Sequence, residues 1–178
     1  AGAAREAARG GHKGTAGVIL VVGGAEGLTG APHRAARAAL RAGGGLISVA
    51  APHGLCRDIK ADCPDIMTRA LGPAGSVRWS PALLEELLPF LRQCGATVLG
   101  PGIGRGTETA AFVHSLLACP SRPPAVADAD ALHALAMHPA APSSPRPCDV
   151  LTPHHAEADT PLHTPPTQVQ PARHRAGS

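Results

Sequence analysis

The residues of this chain best suited by type and spacing to do chemistry begin with two glycine-rich stretches, each closing an apolar run. GGAEGLTGAP places glycines at 23, 24, 27 and 30. Such a loop turns tightly and lets its backbone approach a ligand, and its N–H groups, with the N-terminus of the next helix, favour an anion. The same residues also suit a plain tight turn between a strand and a helix. GPGIGRG, residues 100–106, joins the fixed φ of Pro101 to its neighbouring glycines and offers unblocked amides directly after a strand. Neither stretch contains G-x-x-x-x-G-K-[ST], which excludes the P-loop reading. Asp128 and Asp130 form a D-x-D pair. That pair suits Mg²⁺ held through phosphate oxygens or the positioning of a hydroxyl. Asp130 as a helix cap, with Asp128 accepting loop amides, accounts for the same residues without chemistry. His154, in TPH, is followed by His155 and Glu157. Three close residues in a proline-rich loop are no metal site, and a histidine at a strand end serves as a hydrogen-bonding surface residue as readily as a ligand contact.

The elements that must carry these residues follow one grammar. GVILVVGG, 17–24, is a short continuous apolar run, the pattern of a strand buried on both faces of a parallel sheet. A helix is expected after it, with Pro32 in its first turn, HRAARAALRA as its body and Gly43 to Gly45 as its stop. GLISVAA, 45–51, reads as a second strand, and residues 52–80 as loop with one short helix. PALLEELLPFLRQC repeats leucine at helical spacing, with Pro89 expected to kink or end the helix. ATVLGPGIGRG repeats the grammar of strand and glycine loop, and TETAAFVHSLLA supplies a helix starting near a Thr cap. PAVADADALHALA gives a strand ending at Asp128 and a short helix, and CDVLTPH, 148–154, a last strand. This alternation predicts a mostly parallel, doubly wound α/β sheet with helices on both faces and ligands beyond the carboxyl ends of the strands.

Composition narrows the function classes. The 178 residues suit one domain. Lys and Arg number 16 against 13 Asp and Glu, a formal charge of +3, but they form no basic run and interleave with no aromatics, so nucleic-acid binding has no support. No apolar run nears the ~20 residues that span a bilayer. With no signal-peptide core in AGAAREAARGGHKG either, a soluble cytoplasmic protein is expected. Five widely spaced cysteines without a CxxC pair predict neither a disulfide framework nor a zinc site. A Rossmann oxidoreductase is disfavoured, since the second strand ends in Ser48, Val49, Ala50 with no acidic partner for a ribose, and the absence of Tyr removes any Tyr-Lys pair.

In order and spacing, HKGTAGVILVVGGAEGLTGAP, AALRAGGGLISVA, CPDIM, VLGPGIGR, ADADALHALA and VLTPHHAE resemble the NAD(P)H-hydrate dehydratases, over His12 to about Glu157. The resemblance implies a ribokinase-like fold, incomplete here, and a lyase that restores NADH or NADPH from its hydrated form at the expense of ADP, or ATP in eukaryotic relatives, with Mg²⁺ a further candidate. It implies that Ala31 of TGAP, Gly102 of GPG and His154 of TPH contact the hydrated cofactor, with Gly104 and Asp128 close by as site walls or phosphate neighbours. It divides the chain into a linker or leader at 1–11, a partial dehydratase domain at 12–155 and an irregular tail at 156–178. A fused or partner epimerase domain and a homo-oligomer are the partners it suggests. The sequence departs from the family where His133 replaces the Asn of DADALN and His155 the Pro after TPH. The later K-G-x-x-T segment and the G-[ST]-G-D helix start, which supply the nucleotide site and the aspartate base, are absent from these 178 residues. The expectation is therefore a C-terminally truncated member of impaired activity. The alternatives are a degenerate NAD(P)H-binding module and a small-alcohol kinase of the same superfamily.

Overall fold

A computed structural model of the chain describes residues 17–61, 63–137 and 146–153. The strands are β1 Val18–Val22, β2 Leu46–Pro52, β3 Met67–Leu71, β4 Cys94–Leu99, β5 Ala125–Ala127 and β6 Val150–Leu151. Between them run α1 Gly30–Arg41, α2 Cys56–Lys60 after a 3₁₀ turn at His53–Leu55, α3 Leu83–Leu91, α4 Thr107–Ala118 and α5 Asp130–Met137. All six strands join one sheet in the order β3-β2-β1-β4-β5-β6, and every pairing is parallel. The doubly wound expectation holds.

The apolar runs become the central strands because only there are both faces covered. Leu20, Val21 and Val22 are fully buried, as are Val49, Ala50 and Ala51 of β2. Two cores result, one per face. The α1 and α2 side gathers Val21, Ala36, Ile47, Val49, Ile59 and Ile66. The α3, α4 and α5 side gathers Leu20, Leu87, Leu91, Leu99, Phe112 and Leu116. With helices alone available to cover both faces, burial and strand patterning together force this layering.

Three expectations need correction. Residues 52–80 hold a strand as well as a short helix. β3 is an edge strand whose burial is largely limited to Leu71, so MTRAL shows no apolar run, and its register against β2 is set by pairing. Pro89 does not end α3, which runs on to Leu91. Its missing N–H falls in the last turn, and the buried Leu87 and Leu91 hold the helix on the sheet. No threonine side chain caps α4: Gly106 occupies the cap position and Thr107 is already helical.

The short β6 is fastened at its amino end by a buried clasp. Arg122 and Asp149, with side chains 0% and 2% exposed, pair through both guanidinium nitrogens, Nη1–Oδ1 at 2.8 Å and Nη2–Oδ2 at 2.5 Å. Asp149 also accepts from the Ala125 and Arg146 amides, and Arg122 donates onward to the Leu117 and Pro123 carbonyls. Burial alone would raise the Asp149 carboxyl, but the Arg122 pair and the two amides outweigh it and hold it at about 2. Among the described residues no helix is long and apolar enough to cross a membrane.

Candidate functional site

The sheet order reverses between β1 and β4, the point beyond whose carboxyl ends open parallel sheets bind their ligands. Both glycine stretches lie at this point. They meet backbone to backbone. The Gly24 amide donates to the Pro101 carbonyl at 3.1 Å, and a Cβ built on Gly23 would fall 2.3 Å from that same oxygen. Gly102, at φ +59°, faces the start of α1: a Cβ there would lie 2.7 Å from the Leu28 carbonyl and 3.0 Å from the Ala31 Cβ. Ala31 and Gly102 are therefore direct neighbours. Any larger side chain at 102 would push the two loops apart.

Asp128 follows β5 directly, its amide bonded to the Leu99 carbonyl, and a Cβ on Gly100 would sit 2.0 Å from its carbonyl oxygen. Its carboxylate does not collect loop amides. It accepts the Thr152 hydroxyl at 2.7 Å and so ties the exit of β6 to that of β5. Asp130 does not cap α5 from outside but is that helix's first residue. Its carboxylate reaches back to the β4–α4 loop, accepting the Gly104 amide at 3.1 Å and the Arg105 Nε at 2.9 Å. Between them Ala129 adopts φ +49°, the one left-handed non-glycine among the described residues. That strain lets two neighbouring carboxylates face different loops.

Ala31, Gly102, Gly104 and Asp128 thus lie along one rim of the sheet. His154 lies outside the described residues; Thr152, two positions before it, is on this rim. A cleft of about 210 Å³ opens beside it, lined by Gly104, Arg105, Thr107, Asp130, His133 and Met137. Of the candidate residues Gly104 and Asp130 line this cleft, which is smaller than the ~300–1,000 Å³ of most small-molecule sites. It accommodates one end of a dinucleotide at most, and the Ala31–Gly102 contact lies outside it. Both Asp130 oxygens and Oδ1 of Asp128 already accept hydrogen bonds, and among the described residues no three His, Cys, Asp or Glu side chains gather. Cys56 and Cys94 are pushed up by burial, the latter offset by Arg69, which leaves them poor nucleophiles.

Sequence reading missed the links between loops. Thr152–Asp128 and Asp130–Gly104 join residues more than twenty positions apart, and spacing along the chain carries no signal for them.

A family model described as NAD(P)H-hydrate dehydratase matches residues 19–174. The bifunctional NAD(P)H-hydrate repair enzyme Nnr of Moorella thermoacetica is 41% identical over 165 residues, covering 92% of this chain and 31% of that protein. The human ATP-dependent (S)-NAD(P)H-hydrate dehydratase is 36% identical over 148 residues, 82% of this chain and 41% of that protein. Among solved structures, a ribokinase-like superfamily protein from Enterococcus faecalis superposes with a TM-score of 0.72 at 21% identity, over 91% of this chain and 54% of that one. The ADP/ATP-dependent NAD(P)H-hydrate dehydratase of Bacillus subtilis, co-crystallised with ATP/Mg²⁺, gives 0.60 at 21% identity, over 87% and 50%. The fold is ribokinase-like. The chain spans about a third of the bacterial relative, two-fifths of the human one and half of the solved structures it matches.

Proposed function

The chain belongs to the NAD(P)H-hydrate dehydratase family, and from that premise we propose that its β1–β6 layer forms the hydrated-cofactor side of a nicotinamide-repair lyase. In the full reaction ADP, or ATP, gives up a phosphoryl group to the hydroxyl of the hydrated ring. Phosphate then leaves as the ring double bond forms, so that ADP yields AMP, phosphate and NADH or NADPH. Such chemistry depends on positioning and on charge stabilisation by preorganised donors.

The observation that carries the reading is the backbone contact of Gly102 with Leu28 and Ala31 at the sheet's reversal point. It builds a surface of main chain and small side chains against which the hydrated ring can lie. Ala31 and Gly102 form that wall, Gly104 adds a second stretch of backbone, and Asp128 stands at the β5 exit, with His154 the further contact that the family resemblance implies. Asp128 and Asp130 are spent on holding loops, and we assign neither as the base. No magnesium-dependent step is derived from these residues. The reading places the protein in the cytoplasm, where reduced cofactors turn over, and takes residues 1–11 as the joint to an epimerase domain.

Titration calorimetry with hydrated NADH and with ADP tests it. The 178-residue chain is expected to bind hydrated NADH and to show no turnover with ADP, because K-G-x-x-T and G-[ST]-G-D are absent from its sequence. No heat with hydrated NADH would remove the proposal. A return of reduced-ring absorbance at rates typical of a complete enzyme would remove the expectation of inactivity. A second reading is a binding module that holds hydrated NADH and ignores ADP. The same titration separates it from a kinase for a small alcohol, which must bind the nucleotide.

A further inference from the structure

We infer that Trp79 is a positioning residue for the wall of the proposed site: its indole N–H fixes the first glycine loop, and through that loop the second. The inference rests on the proposed function only for the identity of the ligand. Trp79 is the sole tryptophan of the chain and is 4% exposed. Its Nε1–H donates to the Gly24 carbonyl at 2.8 Å, a bond across 55 positions of sequence. Gly24 in turn donates its amide to Pro101 at 3.1 Å, so one glycine joins the indole to the GPGIGRG loop. Gly24 sits at φ +95°, where a Cβ would lie 3.1 Å from Ile59 and 3.4 Å from Pro32, so the position is closed to a side chain. The indole is itself held, its ring 4.6 Å from Phe112 of α4 at 42°.

The topology explains why a tryptophan stands there. After the edge strand β3 the chain must return past β2 and β1 to begin β4 on the far side. The crossing segment is anchored on the way by Ser76, whose carbonyl accepts the Gly54 amide, and by the Gly72 amide on Glu86. It therefore reaches the reversal point at a fixed height, with a ring large enough to span from α4 to the β1–α1 loop. A phenylalanine would fill most of the same space and give no bond. Ordinary core packing asks for the ring, and the N–H is the part the glycine loops use. Left without its donor, a buried carbonyl loses on the order of tenfold in the stability of its local conformation.

The test uses the whole chain and Trp79→Phe, with Leu116→Val at the distant end of α4 as a control for general destabilisation. Amide hydrogen exchange is read for residues 23–31 and 100–106. Trp79→Phe is expected to speed exchange at least tenfold in both loops while β1 and β2 stay protected, and Leu116→Val to leave the loops unchanged. In the wild type the single indole N–H resonance is expected to exchange slowly and to shift saturably with hydrated NADH, and Trp79→Phe to weaken that binding about tenfold. Unchanged loop exchange in Trp79→Phe, or equal loosening in Leu116→Val, overturns the inference. If no resonance of the wild type responds to hydrated NADH, the proposed function fails, and the exchange comparison alone decides the role of Trp79.

Discussion

The two ends of the strands solve opposite problems. At the amino ends of β5 and β6 a buried ion pair is densely bonded: Asp149 meets two guanidinium nitrogens and two amides, and Arg122 also donates to two carbonyls. At the carboxyl ends the loops meet through a few scattered bonds, Gly24 to Pro101, Gly104 and Arg105 to Asp130, Thr152 to Asp128, with a left-handed alanine among them. The first arrangement costs desolvation and repays it only when every partner is in place, so it tolerates no loss. The second keeps backbone and a partly exposed carboxylate at a rim that a ligand can reach. One end holds the short β6 in register, and the other presents what that register positions.

Substitutions should separate the two ends. The largest effect is expected from Asp149→Ala, which strands a buried guanidinium and should cost about 3–5 kcal/mol in denaturant unfolding. Its folded fraction should keep the wild-type affinity for hydrated NADH, and a selective loss of affinity without a loss of stability would erase the division drawn here. Acid is the next lever. The Asp149 carboxyl, ordinarily near 3.8, is held at about 2 in the folded state. Between those values the unfolded chain binds more protons, so the contribution is present above pH 4 and is lost as pH falls toward 2. It amounts to about 2 kcal/mol. Chemical denaturation across pH 2–5 reads it, and Asp149→Asn should flatten that part of the profile.

At the rim, Gly102→Ala must place a Cβ 2.7 Å from the Leu28 carbonyl in a left-handed conformation. The expected cost is about 1–2 kcal/mol in melting experiments. Calorimetry should show hydrated-NADH affinity reduced by more than the change in the folded fraction explains, and parallel losses would make Gly102 a folding residue only. The smallest effect is expected from Ala129→Gly. Relieving the φ of +49° should stabilise the chain by about 0.5–1 kcal/mol, visible as a small rise in melting temperature. A fall would mean that Ala129 carries packing which outweighs its strain.

Legibility followed burial. β1 and β2 were readable because strands covered on both faces must be largely apolar, and VILVV and, but for Ser48, LISVAA are. β3 was not, since an edge strand needs few buried positions and takes its register from its neighbour, while CDVLTPH was readable as the last strand although only Val150–Leu151 pair in it. The glycine loops were readable as places of close approach, but not what they approach. Asp130 looked like a helix cap because caps are local, whereas its partners Gly104 and Arg105 come from a different strand exit.

By itself the sequence determined the alternation of strands and helices, the two-sided core and the positions where the chain must turn on glycine, because each rests on local geometry or on hydrophobic period. Only the tertiary structure decided that β4 returns beside β1, that Gly102 lies on Ala31, and that Trp79, Thr152 and Asp130 reach across to hold the loops. Those contacts join residues brought together by chain crossing, and a hydrogen bond between distant positions leaves no trace in the spacing of either partner.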